Sequence, residues 1–208
     1  MKLENVLPAD IERRSFEIIE SELPHEIDEK VKSVVKRVIH TTADFDYADS
    51  MYFSENVTDI IKEALMSGAD IVTDTQMARA GINKKRLAAF GGEVHCFMSD
   101  TDVAEAAKAN GTTRAVASMD KAAKIKKNVI FAVGNAPTAL IRLYELIKAG
   151  EIKPVGVIGV PVGFVNVTEA KELIMTAGVP CIVARGRKGG SNVAAAICNA
   201  LIYDLKSD

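Results

Sequence analysis

The chain has 208 residues, of which 48% are hydrophobic and 26% are charged, and its net charge at pH 7 is -2. This is the composition of a folded globular protein that can bury a sizeable core without disulfide bonds, and it excludes a largely disordered chain. The slightly acidic balance argues against a broad nucleic-acid-binding surface, because such a surface needs an excess of basic residues.

Helical periodicity characterises the first third of the chain. Apolar residues lie near helical spacing over residues 11–19, which predicts a first helix. A second apolar stripe over residues 27–38 repeats at i, i+4, i+7, i+8 and i+11, so we predict an amphipathic helix that ends near residues 39–40. Residues 41–44 are then expected to form a loop. A third helix is predicted over residues 57–66.

From residue 69 onward, short apolar runs alternate with helical segments. The predicted strands cover residues 69–74, 93–98, 128–133, 154–160 and 180–184. The predicted helices cover residues 84–90, 102–109, 137–148, 168–176 and 191–205. This alternation is typical of a parallel sheet covered by helices on both faces. We therefore predict one α/β domain over residues 1–208: a doubly wound, mainly parallel sheet of about five strands, with an N-terminal helical segment packed on or beside it.

Neither the cysteines nor the apolar runs indicate a disulfide framework, a metal site or a membrane segment. Cys96, Cys181 and Cys198 are odd in number and widely spaced, so we expect buried thiols. Residues 1–5 contain no apolar signal core. The longest nearly apolar run, residues 155–165, contains Gly and Pro and is too short to span a bilayer. We expect a cytoplasmic protein that binds neither membrane nor nucleic acid.

The loops after the predicted strands are the expected binding region, because ligands of such sheets lie beyond the carboxyl ends of the strands. These loops cover residues 74–81, 99–101, 134–138, 161–167 and 185–191. Most of them are rich in Gly, Pro, Asn, Asp or Arg. Two further polar segments, residues 73–77 and 112–114, are plausible binding loops that are individually nonspecific.

Two of these loops lead from a strand into a helix. In residues 134–138 (G-N-A-P-T), Asn135 suits an N-cap and Pro137 suits the first turn. The segment is either a well-made turn or a helix N-terminus that offers N–H groups to an anion. Residues 186–191 (G-R-K-G-G-S) add two cations, which suits carboxylate or phosphate binding, although a solvated charged turn is the alternative. The segment lacks the spacing of a Walker loop.

The apolar segment 159–165 (G-V-P-V-G-F-V) can offer a wall to a flat ligand, or it can be a strand end packed in the core. Of the three histidines, His40 has the sequence neighbours that best suit a proton-transfer residue. It lies near a predicted helix end, with Arg37 one turn before it and hydroxyl and carboxylate residues directly after it. A lone histidine can equally be structural or merely exposed. His25 and His95 lack comparable neighbours.

Taken together, these segments resemble the precorrin-8X methylmutase family, also called cobalt-precorrin-8 methylmutase. The match runs in order through residues 37–44 (R-V-I-H-T-T-A-D), 72–74 with Met77 and 80–81, 113–114, 134–140 (G-N-A-P-T-A-L), 159–165 and 186–191. Each piece alone is weak, but six ordered pieces that span nearly the whole chain are specific.

The resemblance implies a doubly wound α/β fold, a homodimer and an isomerase of cobalamin biosynthesis that needs no cofactor. Its reaction moves a methyl group from C-11 to C-12 of ring C of precorrin-8X or cobalt-precorrin-8, giving hydrogenobyrinate or cobyrinate. The family's catalytic histidine falls on His40. The substrate contacts predicted for this chain are Ser15, Arg37, Thr41, Thr42, Asp74, Met77, Arg114, Gly134, Asn135, Thr138, Gly163, Arg187, Lys188 and Gly189.

Physical reasoning agrees with this interpretation. The tetrapyrrole substrate carries several carboxylates, so a chain of net charge -2 must gather cations locally; Arg37, Arg114, Arg187 and Lys188 are the candidates. The protein itself shows no set of metal ligands in its sequence. Two alternatives stay open at this point: an α/β enzyme that acts on a phosphorylated metabolite through residues 186–191, and a non-catalytic tetrapyrrole carrier.

Overall fold

A computed structural model describes residues 6–206. In this range the strands are β1 (Met51–Phe53), β2 (Asp70–Thr73), β3 (Val94–His95), β4 (Val129–Val133), β5 (Gly156–Gly159) and β6 (Cys181–Ala184). The α-helices are α1 (Ile11–Glu22), α2 (Glu29–Thr42), α3 (Tyr47–Ser50), α4 (Val57–Met66), α5 (Gln76–Gly81), α6 (Lys84–Ala88), α7 (Thr101–Ala109), α8 (Arg114–Ala122), α9 (Pro137–Lys148), α10 (Val167–Met175) and α11 (Ser191–Tyr203). A single 3-10 turn, Pro8–Asp10, precedes α1.

One six-stranded sheet organises these elements. Its strand order is β1-β6-β5-β4-β2-β3, and the five strands from β2 to β6 are mutually parallel. The prediction of a mainly parallel, doubly wound sheet is therefore confirmed. The sixth strand, β1, was not predicted; it pairs antiparallel with β6, with Met51 opposite Ala184 and Phe53 opposite Ile182.

Both faces of the sheet are buried, which explains why its strands are continuous apolar runs. In β4, Ile130 and Ala132 pack against α2, α4, α6 and α11. Phe131 and Val133 face the opposite side and pack against α8, α9 and α10. Nine of the 13 residues of α11 are buried, because α11 contacts β4 and β5 as well as α2 and α4. The N-terminal helical segment therefore packs on the sheet through α11, as predicted.

Two local predictions were wrong. Helix α2 does not stop at residues 39–40 but continues to Thr42, where Ala43 takes a left-handed conformation with φ 52° and donates its N–H to the Ile39 carbonyl at 2.7 Å. Thr41 tolerates this extra turn because its hydroxyl donates to the Arg37 carbonyl at 2.9 Å. The predicted loop at residues 74–81 contains helix α5, which Thr75 caps by accepting the Ala78 N–H at 3.1 Å.

The order of the strands fixes where a ligand can bind. From β2 the chain proceeds through α5 and α6 to β3 on one side, whereas β4 lies on the other side of β2. Such a switch point opens a crevice beyond the carboxyl ends of the two central strands. We call the ends of β2, β4, β5 and β6 with their loops (residues 74–75, 134–136, 160–166 and 185–190) the carboxyl edge. No helix between residues 6 and 206 is long and apolar enough to cross a membrane.

Candidate active site at the carboxyl edge

The loops of the carboxyl edge pack directly on each other. A Cβ added to Gly134 would lie 2.7 Å from the Ser191 Cα, and one added to Gly189 would lie 2.2 Å from the Val160 carbonyl oxygen. Gly190 donates its N–H to the same Val160 carbonyl at 2.9 Å. These approaches require glycine at 134 and 189, so three of the predicted binding loops form one continuous surface.

Asp74 lies at the centre of this surface, in the crevice between β2 and β4. Its side chain accepts the backbone N–H groups of Gly134 at 2.8 Å, Asn135 at 2.8 Å and Ala136 at 2.7 Å. The residue is only 1% exposed. Burial raises the pKa of the Asp74 carboxyl, while the three backbone N–H groups oppose that rise.

This arrangement changes the interpretation of the turn before α9. Of the two alternatives for this segment, the structure favours the well-made turn, because the N–H groups of residues 134–136 are already bound to an internal carboxylate. Asp74 therefore suits the role of a residue that positions the turn better than that of a direct contact. The prediction of Asn135 as the N-cap was wrong: the cap position is Ala136, which makes no side-chain cap bond, and Pro137 opens the helix as expected.

Hydroxyl groups connect the neighbouring helix starts. The Thr75 and Ser191 hydroxyls lie 2.8 Å apart, and the Thr113 and Thr138 hydroxyls lie 3.3 Å apart. Thr113 also caps α8 by accepting the Val116 N–H at 3.2 Å. Arg114, the first residue of α8, is exposed beside this contact. The start of α8 thus belongs to the same surface as the start of α9.

A buried cation that the sequence analysis missed lies beneath residues 185–190. Lys171 in α10 donates to the Gly186 carbonyl at 2.8 Å and to the Lys188 carbonyl at 2.7 Å, and it is 0% exposed. Burial lowers its pKa to about 8. A lysine between two glutamates suggests a solvated position. Lys171 follows the buried Val167 by four residues and precedes the buried Ile174 by three. This helical spacing is the signal that could have revealed its burial.

Lys188 joins this loop to the end of α2. Its ammonium lies 2.6 Å from a carboxylate oxygen of Asp44 and 2.6 Å from one of Asp46. These bonds raise the pKa of Lys188 and lower that of Asp44. His40 is four residues before Asp44, so even a fully extended chain would leave the two within about 14 Å. The end of α2 that carries His40 therefore belongs to the carboxyl edge.

His40 is exposed in the last turn of α2 and stacks on the Phe16 ring, with the ring centres 5.1 Å apart. The Arg37 guanidinium lies over the same ring at 4.7 Å and over the Tyr203 ring at 5.1 Å, and it also pairs with Glu12. Helix α1 thus covers one side of His40. Two other predicted contacts, Ser15 and Thr42, donate their hydroxyls to backbone carbonyls within their own helices, those of Ile11 and Val38.

His40 differs from the other two histidines in its partners. His25 lies 2.8 Å from a carboxylate oxygen of Asp49, and His95 lies 3.0 Å from one of Asp70. Within residues 6–206, His40 has no such carboxylate partner. The part of the chain that the structure describes also contains no group of three or more His, Cys, Asp or Glu side chains able to hold a metal ion.

An exposed apolar surface completes the site. Phe164 is 82% exposed and Val165 is 76% exposed, both in the loop after β5, and Met77 on α5 is 71% exposed. Large exposed apolar side chains, such as the adjacent Phe164 and Val165, are typical of contact surfaces. Gly163 donates its N–H to the Arg187 carbonyl at 3.2 Å, and the Arg187 guanidinium lies 5.5 Å from the centre of the Phe164 ring.

Arg187 has no carboxylate partner among residues 6–206, so its charge remains available. Within residues 6–206, the carboxyl edge and the neighbouring end of α2 therefore offer exposed apolar side chains, a guanidinium without a carboxylate partner and an exposed histidine. This combination fits a flat, largely apolar ligand that carries carboxylates at its rim.

Comparison with known proteins identifies relatives over nearly the whole chain. The sequence model of a family described as precorrin-8X methylmutase matches residues 10–204. A cobalt-precorrin-8 methylmutase of Priestia megaterium is 48% identical over 197 residues, covering 94% of this chain and 88% of the relative. One of Salmonella typhimurium is 47% identical over 207 residues, covering 96% of each chain. The crystal structure of a precorrin-8X methylmutase from Thermus thermophilus superposes with a TM-score of 0.85 at 40% identity, over 93% of this chain and 96% of the other.

Proposed function

The chain belongs to the precorrin-8X methylmutase family, and we propose that it is an isomerase of cobalamin biosynthesis that moves a methyl group from C-11 to C-12 of ring C of precorrin-8X or cobalt-precorrin-8. The observation that carries this proposal lies at the carboxyl edge. Arg187, which has no carboxylate partner among residues 6–206, lies beside the exposed Phe164, and the next residue, Lys188, binds Asp44 just after the helix that carries His40.

In this proposal the carboxyl edge binds the substrate through two kinds of contact. The exposed side chains of Phe164, Val165 and Met77 form the apolar wall under the macrocycle. Arg187 and Arg114 bind acetate and propionate carboxylates at its rim, because a guanidinium can form two parallel hydrogen bonds with one carboxylate. Asp74 contributes indirectly, since it holds the turn at residues 134–136.

His40 supplies the proton chemistry. As imidazolium it donates a proton to a ring C nitrogen or to the conjugated system, which makes ring C more electron-deficient. The bond from the methyl group to C-11 then breaks while the bond to C-12 forms on the same face, with no net oxidation or reduction. His40 recovers its proton as the corrin forms. General acid catalysis of this kind contributes about 10²–10⁴-fold, and orientation of the macrocycle supplies the rest.

The test is turnover followed by absorption spectroscopy. Purified protein is incubated with precorrin-8X and, separately, with its cobalt form, and conversion to the corrin spectrum is recorded. We expect His40→Asn to bind the product while losing at least about 10²-fold in turnover. His25→Asn is the matched control, because His25 is an exposed histidine with a carboxylate partner, and it should retain full activity. Full turnover by His40→Ala would remove His40 from the mechanism.

Two outcomes would favour other functions. Binding of the corrin without turnover of added substrate would identify a tetrapyrrole carrier. Thermal protection by inorganic phosphate, without protection by any corrinoid, would favour an enzyme that acts on a phosphorylated metabolite.

The same surface suits a homodimer in the cytoplasm. The exposed side chains of Phe164, Val165 and Met77 would be covered by the substrate and by a second subunit. Light scattering at several protein concentrations should give twice the mass of the chain. A stable monomer that remains active would overturn this part of the proposal.

A further inference from the structure

Lys171 is a buried cation with an uncommon environment. Its ammonium group is fully buried and, within residues 6–206, its hydrogen-bond partners are two backbone carbonyls rather than a carboxylate. Removing a cation from water without a counter-ion is costly, and an apolar side chain of similar size would fill this position of α10 at a lower cost. The free-energy cost points to a function for the ammonium group beyond packing.

The two carbonyls that Lys171 binds belong to Gly186 and Lys188, on either side of Arg187. This loop has no regular secondary structure, and Gly186 and Gly189 have φ values of 73° and 157°. Its carbonyls therefore take partners from elsewhere in the fold rather than from a helix or strand ladder. Lys171 satisfies both and fixes the backbone on each side of Arg187.

The backbone that Lys171 binds carries two cationic side chains, Arg187 and Lys188. With the carbonyls of residues 186 and 188 bound to Lys171, the Arg187 guanidinium lies over Phe164 and the Lys188 ammonium reaches Asp44 and Asp46. The first contact belongs to the apolar wall. The second joins the loop to the end of the helix that carries His40.

We propose that Lys171 is a positioning residue for the methyl shift: by holding the Gly186 and Lys188 carbonyls, it keeps Arg187 aimed at the substrate and keeps the loop joined to the His40 helix. This inference rests on the proposed function. Lys171 itself does not touch the substrate, because it is fully buried beneath the loop.

The test replaces Lys171 by methionine, which keeps most of the side-chain volume and removes both hydrogen bonds. The matched control is Lys127→Met at the opposite end of the sheet, where the ammonium binds Asp70 at 2.7 Å and the Gly91 carbonyl at 3.0 Å. Each variant is assayed for product affinity by absorbance titration and for KM and kcat. Hydrogen exchange is measured over residues 185–190 by mass spectrometry.

We expect Lys171→Met to raise KM and weaken product binding at least tenfold, with a smaller decrease in kcat, and to speed exchange over residues 185–190 alone. Lys127→Met should leave product affinity, KM, kcat and the exchange over residues 185–190 at wild-type values. A purely structural role would lower the yield and the melting temperature without this separation of KM from kcat. Wild-type KM and wild-type exchange in Lys171→Met would overturn the inference.

If Lys171→Met does not fold, Lys171→Gln serves instead, because its amide can still donate to one of the two carbonyls; an unchanged KM in that variant, together with faster exchange over residues 185–190, would also overturn the inference. Failure of the proposed function is distinguishable. In that case the wild-type protein itself would not convert the substrate, while the exchange measurement would still decide whether Lys171 orders the loop.

Discussion

Strand β2 has an aspartate at each end, and the two aspartates have different partners. Asp70, at the amino end, binds the Lys127 ammonium at 2.7 Å, the His95 ring at 3.0 Å and one backbone N–H, that of Glu93. Asp74, just after the carboxyl end, binds three backbone N–H groups and no cation within residues 6–206. At the amino end of β2 the buried carboxylate of Asp70 is therefore neutralised by cationic partners. At the carboxyl end the buried carboxylate of Asp74 instead holds the backbone of residues 134–136.

The pKa shifts follow this division. Burial acts to raise the pKa of Asp70, but Lys127 and His95 outweigh it, so the folded state favours the charged form. At the carboxyl edge the pKa of Asp74 is raised and the pKa of Lys171 is lowered to about 8, because burial dominates in both. At the candidate site, folding thus disfavours the charged forms of Asp74 and Lys171. A fold that gives up stability to order a set of loops is typical of a functional region.

The largest expected effect comes from removing the Asp74 carboxylate. Asp74→Ala leaves three backbone N–H groups in the crevice without partners, so we expect a loss of about 3 kcal/mol in the free energy of unfolding. Product affinity should fall by more than tenfold, because the turn at residues 134–136 is no longer held. Urea unfolding and absorbance titration measure the two effects.

Asp74→Asn is the control, since its amide keeps one acceptor oxygen and nearly the same shape. It should lie between the wild type and Asp74→Ala in both measurements. If Asp74→Ala keeps wild-type stability and affinity, the three hydrogen bonds of Asp74 contribute neither to the free energy of unfolding nor to binding.

The overall architecture could be predicted because it depends on patterns that repeat. Strands such as β4 are buried on both faces, and they alternate with helices at regular spacing. Strand β1 escaped prediction because its three half-buried residues, Met51–Phe53, are too few to show a period. Helix α5 escaped because its six residues follow a polar strand end and resemble a loop. The last turn of α2 escaped because hydroxyl-to-carbonyl bonds at Thr41 and Thr42 are invisible in a sequence.

The packing of the glycine-rich loops was predictable, but the partners of the side chains between them were not. The loops meet as expected, since the carboxyl ends of parallel strands lie at one edge, and Lys188 connects them to Asp44 and Asp46 just after α2. The roles of His40 and of the substrate contacts stay predictions. The sequence does not show which long-range partner a side chain meets. Asp74 meets the backbone of residues 134–136, and Lys171 meets the carbonyls of residues 186 and 188. Sequence spacing shows that Lys171 shares the buried side of α10, but it does not show what that side meets.

The next largest effect is a dependence of stability on pH that belongs to Lys171. Its pKa is lowered from 10.5 to about 8 in the folded state. Between these values the unfolded chain binds a proton at Lys171 that the folded chain does not, so stability rises with pH. Relative to Lys171→Met, the wild type should gain about 1.4 kcal/mol per pH unit, or roughly 3 kcal/mol across the window.

Urea unfolding of both proteins at pH 7.5, 8.5, 9.5 and 10.5 measures this gain, and the subtraction cancels the other groups that titrate there. If the free energies of unfolding of the two proteins change in parallel with pH, Lys171 keeps an ordinary pKa. Burial of its ammonium group would then cost little free energy, and the difference between the two ends of the sheet would be smaller than inferred.

A smaller effect is expected at the amino end. Asp70→Asn leaves Lys127 and His95 without their shared carboxylate, and it should cost about 2 kcal/mol at pH 7. Because the folded pKa of Asp70 is lowered, its contribution is fully present above its unfolded pKa and is lost as pH falls through the folded pKa. The difference between wild type and Asp70→Asn should therefore shrink in acid. Product affinity and turnover should stay at wild-type values, and a tenfold loss in either would contradict the assignment of this end to stability alone.

The smallest effect on stability is expected for Lys188→Met, which breaks the contacts with Asp44 and Asp46. The Lys188 side chain is 48% exposed, and exposed ion pairs contribute little to stability because water and salt screen them. We expect an unchanged free energy of unfolding but a three- to tenfold loss of product affinity, since the loop is no longer joined to the His40 helix. Lys127 is as exposed as Lys188, but its partner Asp70 is buried, so Lys127→Met leaves a buried carboxylate with less compensation; it should lower stability and leave affinity intact. If both lysine variants change the same quantity, the two ends of the sheet do not divide stability and binding between them.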